Sequence, residues 1–163
     1  MKQGLCVYPG SFDPVTNGHL DIIERGAAIF PQVVVAVLHN PVKTGCFSIE
    51  QRLAMLKKAC AHLPNVSFDR FDGLLVNYMR SLGAGVVLRG LRAVTDFESE
   101  VQMAQLNHQM SPDVETLFLM TSPEHAYLSS SAVREIGMFG GDVSPFVPLS
   151  IAQEVQAALQ TKP

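Results

Sequence analysis

The sequence has few charged residues and no long hydrophobic run. Charged residues make up 17% of its 163 residues, below the roughly 25% of an average soluble protein. A chain with so little charge to cover an isolated surface is expected to form a homo-oligomer. The longest aliphatic run, "VVVAVL" at 33–38, is far shorter than the ~20 residues that a membrane span needs, so we expect no membrane-spanning helix.

Cysteine and basic residues are also scarce. Cys6, Cys46 and Cys60 are an odd number at spacings unlike those of metal sites, which is typical of free thiols in a reducing cytoplasm. The chain reaches an apolar strand pattern within a few residues and shows no signal segment, so we expect a cytoplasmic location. A net charge of −3 without any basic stripe argues against a nucleic-acid partner. Any phosphate ligand must therefore be held by a few local cations.

Short apolar runs alternate with segments of helical spacing. The runs predict strands at 4–9, 33–38, 66–71, 85–89 and 115–120. This alternation favours an α/β fold, a Rossmann-like doubly wound five-stranded parallel sheet of strand order 3-2-1-4-5 with helices on both faces. No repeat or linker divides the chain, which predicts a single domain over 1–163 with a C-terminal helix at about 148–160. Ligands of such sheets bind beyond the carboxyl ends of the strands, where the order reverses.

The stretch "YPGSFDPVTNGH" (8–19) follows the first predicted strand. Pro9 and Gly10 are predicted to stop that strand, and the Asp-Pro and Asn-Gly pairs favour turns. His19 falls in the first turn of the next helix, where unpaired N–H groups favour an anion and the dipole disfavours a charged imidazole. We interpret His19 as a neutral side chain that donates one N–H bond to a ligand. The competing interpretation is a tight turn with a surface histidine.

Two arginines follow in "RGLR" (89–92). Arg89 is predicted to end the fourth strand, and Arg92 lies just before a helix. Each guanidinium can donate two bonds to an oxyanion, although solvated arginines are the commoner case. We favour phosphate binding because both residues lie at the carboxyl edge, opposite the His19 loop across the predicted switch point.

Three serines open a later helix in "LSSSAVRE" (128–135). One of them is explained as a helix cap, and the others, with backbone N–H groups, can cradle a triphosphate. Arg134 either reaches the same anion or pairs with a nearby carboxylate, and the sequence leaves both interpretations open. Taken alone, Lys43 and Glu100 are most simply solvated side chains. The spacing shows no Ser-His-Asp triad, no Cys-His pair and no metal cluster.

Together these motifs resemble those of the bacterial phosphopantetheine adenylyltransferases, a family of the nucleotidylyltransferase superfamily. "TNGH" (16–19) is similar to the superfamily's (H/T)xGH signature, and "RGLRAVTDFESE" (89–100) resembles the family's second block. The likeness continues in one register to "GDVSPFVP" (141–148). It implies transfer of the adenylyl group of ATP to 4′-phosphopantetheine, giving dephospho-coenzyme A and pyrophosphate, with Mg²⁺ bound through ATP phosphates and water.

The resemblance also implies roles for individual residues, and it changes the interpretation of Lys43 and Glu100 from solvated to functional. His19 matches the histidine that stabilises the transition state. The positions that hold 4′-phosphopantetheine are matched by Ser11, Lys43, Leu75 and Arg89. The positions that hold ATP are matched by Ser11, Phe12, His19, Gly90, Leu91, Arg92, Glu100, His125, Ala126, Tyr127, Leu128, Ser129, Ser130 and Ser131. The chain departs from the family pattern at Ser99, His125 and Ala126, where relatives commonly have aromatic or bulkier residues.

Two alternatives remain beside this interpretation. One is a related nucleotidylyltransferase that acts on another phosphate acceptor, such as nicotinamide mononucleotide or a polyol phosphate. The other is a non-catalytic nucleotide-binding domain, which the intact His19 and the paired arginines disfavour. The resemblance further implies a homohexamer and inhibition by coenzyme A.

Overall fold

Five parallel strands form one sheet in the order β3-β2-β1-β4-β5, which confirms the predicted topology. The structure, a computed structural model, describes residues 4–39, 45–92 and 94–160, with the main chain alone at 94–96. The strands are β1 (Leu5–Gly10), β2 (Gln32–His39), β3 (Val66–Asp72), β4 (Val86–Leu91) and β5 (Glu115–Met120). The order reverses at β1, which lies between β2 and β4.

Helices connect the strands and follow the last one. They are α1 (Asn17–Ile29), α2 (Ile49–Ala59), α3 (Leu75–Leu82), α4 (Val94–Met110), α5 (Ser130–Met138) and α6 (Ala152–Gln160). The predicted C-terminal helix at 148–160 is in fact a 3-10 turn over Leu149–Ile151 followed by α6. Such tighter turns often begin α-helices. Within the described ranges, each helix is too short or too polar to cross a membrane.

Helices cover both faces of the sheet, as predicted. Successive side chains of a strand point to opposite faces, and in β1 they enter two different cores. Cys6 and Tyr8 belong to the larger core, which takes side chains from α1, α2, α5 and α6. Leu5 and Val7 belong to the smaller core, which takes side chains from α3.

Two strands continue through residues that were predicted to end them. β1 continues through Pro9 and Gly10 in register with β2, so these residues do not stop the strand. The pairing of β1 with β4 covers Cys6 and Val7 and stops short of Pro9, whose missing N–H therefore breaks no bond to that side. β4 likewise continues past Arg89, so Arg89 and Gly90 lie inside a strand rather than at its end.

Candidate functional site

A cleft of about 560 Å³ lies at the carboxyl ends of β1 and β4, where the strand order reverses. It is the site that doubly wound sheets use for ligands. Among the residues predicted to bind substrates, those that line the cleft are Ser11, Phe12, His19, Arg89, Gly90, Arg92, Glu100, Leu128, Ser129, Ser130 and Ser131. Three separate segments of the sequence therefore meet there, the 8–19 loop, the 89–100 block and the serine segment.

Other predicted site residues lie outside the lining of the cleft. Leu75 is the first residue of α3 and packs against the smaller core, and Leu91 is buried. His125 ends a 3-10 turn, and Tyr127 beyond it is 70% exposed. Lys43 lies outside the described residues. The substrate contacts expected of these residues, and of Ala126, stay predictions.

Phe12 packs beneath the cleft surface and holds the 8–19 loop in place. It is fully buried, and its φ of 46° lies in the left-handed region that bulky residues rarely adopt. Its ring packs edge to face against the rings of Tyr8 and His19, at centroid distances of 5.3 and 5.1 Å. A Cβ on Gly10 would lie 2.9 Å from the Phe12 ring, so this turn requires glycine. The buried Phe12 side chain thus positions the loop, and its contact with ATP stays a prediction.

His19 is the third residue of α1, in the helical turn where the sequence predicted it. Thr16 caps the helix: its Oγ1 accepts a bond from the His19 N–H (3.3 Å), and its own N–H donates to His19 Nδ1 (3.0 Å). Because a main-chain N–H can only donate, Nδ1 must be the unprotonated nitrogen of the ring. The neutral imidazole therefore carries its proton on Nε2.

Burial and two arginines keep His19 neutral. Burial, followed by the charges of Arg92 and Arg89, lowers the pKa of His19 from 6.5 to about 4. A desolvated cation is disfavoured, and two nearby guanidinium groups repel it further. The ring is therefore neutral near pH 7, with burial as the largest cause.

Arg89 is held in place by Glu100 of α4. Its Nε and Nη2 donate to the two carboxylate oxygens of Glu100 at 2.6 and 2.5 Å, and its Nη1 donates to the carbonyl of Pro9 at 2.5 Å. A bidentate pair of this kind fixes the plane of the guanidinium. Family resemblance assigned Arg89 to the acceptor and Glu100 to ATP, whereas the structure joins them in one ion pair.

Arg92 and the serine segment close the other side of the cleft. Arg92 Nη1 donates to the carbonyl of Leu128 (2.7 Å), which ties the end of β4 to this segment. Ser129 caps α5, because its Oγ accepts a main-chain N–H bond at 3.1 Å. Ser130 Oγ donates to the carbonyl of Pro14 (2.8 Å) in the first loop. One serine is thus a cap, as predicted, and its neighbour links two walls of the cleft.

Asp13 is a buried carboxylate at the edge of the cleft that sequence reasoning missed. It is 7% exposed and accepts bonds from the main-chain N–H groups of Cys46 and Phe47, both at 2.8 Å. Arg52 Nε lies 3.2 Å from one of its oxygens, and Arg134 Nη1 lies 3.6 Å from the other. Arg134 therefore pairs with a carboxylate while it also lines the cleft, which accommodates both of its interpretations.

Arg52 carried a signal that could have revealed this network. The buried residues of α2 are Arg52, Met55, Leu56 and Ala59, which follow the spacing of an apolar helix face. An arginine on such a face must find an anion in the interior, because an unpaired buried charge is costly. The partner is Asp13, in the loop after β1.

Comparison with known proteins places the chain in a family. Residues 7–136 match the family model described as Cytidylyltransferase-like. A phosphopantetheine adenylyltransferase of Syntrophotalea carbinolica is 54% identical over 162 residues, covering 99% of this chain and 95% of the relative. The chain belongs to the phosphopantetheine adenylyltransferase family. A further member, from Finegoldia magna, is 48% identical, with 99% of this chain and 100% of the relative covered.

The fold extends beyond the phosphopantetheine adenylyltransferases. A solved structure from Vibrio parahaemolyticus, assigned as a nicotinate-nucleotide adenylyltransferase, matches with a TM-score of 0.68. The match covers 97% of this chain and 96% of that one at 14% sequence identity. At such low identity the likeness shows a shared fold.

The carboxylates at the cleft bear on the Mg²⁺ that the family resemblance implies. Among the residues that the structure describes, no group of three or more His, Cys, Asp or Glu side chains could hold a metal ion. Asp13 and Glu100 line the cleft, and each is already bonded to arginine or main-chain N–H groups. Because both carboxylates already have protein partners, the site suits a Mg²⁺ ion that takes its ligands from nucleotide phosphates and water.

Proposed function

We propose that the protein transfers the adenylyl group of ATP to 4′-phosphopantetheine, which yields dephospho-coenzyme A and pyrophosphate. The observation that carries this proposal is the identity of about half of all residues to phosphopantetheine adenylyltransferases over 99% of the chain. The match includes all three segments that line the cleft. The reaction belongs to coenzyme A biosynthesis.

The cleft suits a direct transfer. A phosphate oxygen of the acceptor attacks the α-phosphorus of ATP in line, the bond from that phosphorus to the bridging oxygen breaks, and pyrophosphate leaves. The attacking oxygen is already anionic, so the step needs no covalent nucleophile and no general base. Catalysis then depends on holding two anions in line and on stabilising the charge of the transition state. Arg89, Arg92 and Arg134 line the cleft and supply the positive charge for binding.

His19 supplies a fixed neutral donor. Its Nδ1 is engaged by the Thr16 N–H, so Nε2–H is the atom that can donate to an oxygen of the α-phosphate. A donor that is already oriented costs no reorganisation when the pentacoordinate phosphorus forms. When bound with ATP, Mg²⁺ supplies further positive charge to the phosphates, and Asp13 and Glu100 keep their protein partners.

A homo-oligomer, a hexamer by family resemblance, is part of the proposal. Large apolar side chains are exposed on α4 and β5, namely Phe97, Met103, Leu106, Met110, Leu117 and Met120. Burying such side chains against other copies would remove apolar area from water. Sedimentation is expected to give an assembly at micromolar concentration, and a stable monomer would contradict this part. Inhibition by coenzyme A and a cytoplasmic location are proposed on the resemblance as well.

Pyrophosphate release from ATP tests the function. The purified protein is assayed with 4′-phosphopantetheine, nicotinamide mononucleotide, a polyol phosphate or no acceptor, and the product is weighed by mass spectrometry. We expect pyrophosphate release only when 4′-phosphopantetheine is the acceptor, and we expect dephospho-coenzyme A as the second product. Faster release with another acceptor would favour a related transferase, and ATP binding without release would favour a non-catalytic domain.

A further inference from the structure

We infer that Asp13 is a positioning residue whose buried carboxylate couples the acceptor-side loop after β2 to the nucleotide-side helix α5. The assignment of the two substrates to these two sides rests on the proposed function. The network of contacts around Asp13 does not depend on it.

One side of the network fixes the segment that leads into α2. The two Asp13 oxygens each accept one main-chain N–H bond, from Phe47 and from Cys46, at 2.8 Å. Gly45, the residue before Cys46, lines the cleft. Lys43, the predicted acceptor ligand, lies two residues further back in the sequence. The Asp13 carboxylate therefore anchors the chain three and four residues after the residue predicted to hold the acceptor.

The other side of the network fixes α5. Arg134 Nη1 donates to the main-chain carbonyl of Asp13 and also lies 3.6 Å from its carboxylate. Arg134 Nη2 donates to Ser131 Oγ at 3.2 Å, and both residues line the cleft. Residue 13 thus orients an arginine and a serine of the segment predicted to hold ATP.

Arg52 ties the segment before α2 to the loop that holds Asp13. Its Nε donates to the carbonyl of Phe47 (2.8 Å), and its Nη1 donates to the carbonyl of Ser11 (3.3 Å). A Cβ on Gly45 would lie 1.4 Å from Arg52 Nη2, so the loop passes directly over the guanidinium. Arg52 is 7% exposed, and Asp13 is the carboxylate that compensates its charge.

The Asp13 carboxylate supplies the charged part of this network, whereas the bond from Arg134 to its main-chain carbonyl does not depend on that charge. A carboxylate accepts bonds at both oxygens, whereas an amide of the same size has a single acceptor oxygen. Asp13→Asn must therefore lose the bond from the Cys46 N–H, from the Phe47 N–H or from an arginine. It also leaves the guanidinium groups of Arg52 and Arg134 without a carboxylate partner. Losing one partner of a buried charged pair is much more costly than losing an exposed one. The loop after β2 and α5 are expected to loosen together.

Three variants test the coupling: Asp13→Asn, Arg134→Gln and their combination. Asp142→Asn is the matched control, because Asp142 accepts bonds from Ser144 in a turn outside the cleft. Asp13→Asn is expected to raise both the Kd for ATP and the KM for 4′-phosphopantetheine by about 10-fold, the effect of one unsatisfied buried group. In the combined variant the increase in Kd should be smaller than the product of the single increases, because both changes remove one network.

Amide hydrogen exchange distinguishes coupling through Asp13 from a purely structural role of this residue. Arg134→Gln is expected to speed exchange of the Cys46 and Phe47 amides at least about twofold, although Arg134 contacts neither amide, because they share Asp13. Exchange at these amides that is unchanged in Arg134→Gln would overturn the inference, even if Asp13→Asn fails to fold. So would an Asp13→Asn protein that melts at a lower temperature while its Kd and KM stay within twofold of wild type.

The same experiment keeps the two proposals apart. ATP binding and amide exchange do not depend on the identity of the acceptor. A wild-type protein that releases no pyrophosphate with 4′-phosphopantetheine contradicts the proposed function alone. If the wild-type protein turns over 4′-phosphopantetheine but amide exchange is unchanged in Arg134→Gln, only the coupling is contradicted.

Discussion

The turn between β1 and α1 and the end of β4 each present a nitrogen donor to the same cleft, and they hold it differently. His19 is fixed by Thr16, three residues away, within the first turn of one helix. Arg89 is fixed by Glu100, eleven residues away on α4, and by the carbonyl of Pro9 on β1. The first donor is in place once a single turn has formed, whereas the second requires two strands and a helix to assemble.

The two donors also differ in charge, and the difference matches two tasks. Arg89 is a paired cation that can attract an anionic substrate before reaction. His19 is a neutral donor, partly because Arg89 and Arg92 lower its pKa. A cation that binds ground state and transition state alike improves affinity, whereas a donor that acts mainly on the transition state improves the rate. Variants of the two sides should therefore separate kcat from KM.

The largest effect is expected at His19. His19→Ala should lower kcat by about 10²- to 10³-fold, the usual result of losing one oriented donor, with little change in the KM for ATP. Steady-state kinetics of pyrophosphate release measures both. His62→Ala is the control, because His62 pairs with Glu24 on the protein surface. Turnover of a folded His19→Ala protein within a few-fold of wild type would remove His19 from catalysis.

On the β4 side, affinity should change more than rate. Arg89→Lys keeps the charge but loses the fork that pairs with both Glu100 oxygens, so the cation is no longer held in place and the KM for 4′-phosphopantetheine should rise about 10-fold with a smaller change in kcat. Glu100→Gln keeps Arg89 but weakens the bond that fixes its plane, and a smaller rise is expected. An unchanged KM in Arg89→Lys would place Arg89 outside the acceptor site.

Acid should weaken the fold through His19. Its folded pKa of about 4 lies below the unfolded value of 6.5, so the neutral ring contributes stability that is complete above pH 6.5 and is lost as the pH falls towards 4. The loss should reach about 2–3 kcal/mol of unfolding free energy. Urea unfolding near pH 7 and near pH 4.5 measures it, and His19→Gln should reduce the difference. An equal acid loss in His19→Gln would assign it to other groups.

The smallest effect is expected from the cysteines. Burial raises the pKa values of Cys6 and Cys60 to about 12, so these thiols should not react near pH 8. Cys46 is partly exposed and meets the cleft network through its main-chain N–H. Alkylation followed by mass spectrometry should find one label per folded chain, and Cys46→Ser should keep kcat within about twofold because the reaction needs no thiol. Three labels on the folded protein would contradict the buried assignment.

The part of the site that depends on short-range contacts was predictable from the sequence. The position of His19 in a helical turn and a serine cap at the start of α5 follow from patterns of a few residues. The strand order follows from the alternation of strands and helices along the chain. The Arg89–Glu100 pair was not predicted, because family resemblance assigned the two side chains to different substrates. The predicted ends of β1 and β4 were wrong because Pro9 and Gly90 are local strand breakers. The pairing with neighbouring strands that carries β1 and β4 past them depends on tertiary contacts.

The role of Asp13 also could not be predicted from local sequence patterns. Its contacts reach residues 33 to 121 positions away, and no local pattern encodes them. In the sequence it is half of an Asp-Pro turn pair. Only the arginine on the apolar face of α2 indicated that a buried anion had to exist.

The contact between Thr16 and His19 links the activity of the enzyme to its temperature range. The bond from the Thr16 N–H to Nδ1 reinforces the tautomer with the proton on Nε2 and fixes the orientation of the ring. Helix ends open at a smaller free-energy cost than the whole domain. Heating should therefore first produce molecules that are folded, bind ATP and contain an intact His19, yet have a freely exchanging ring tautomer. We therefore expect the temperature optimum of turnover to lie below the melting temperature of the protein.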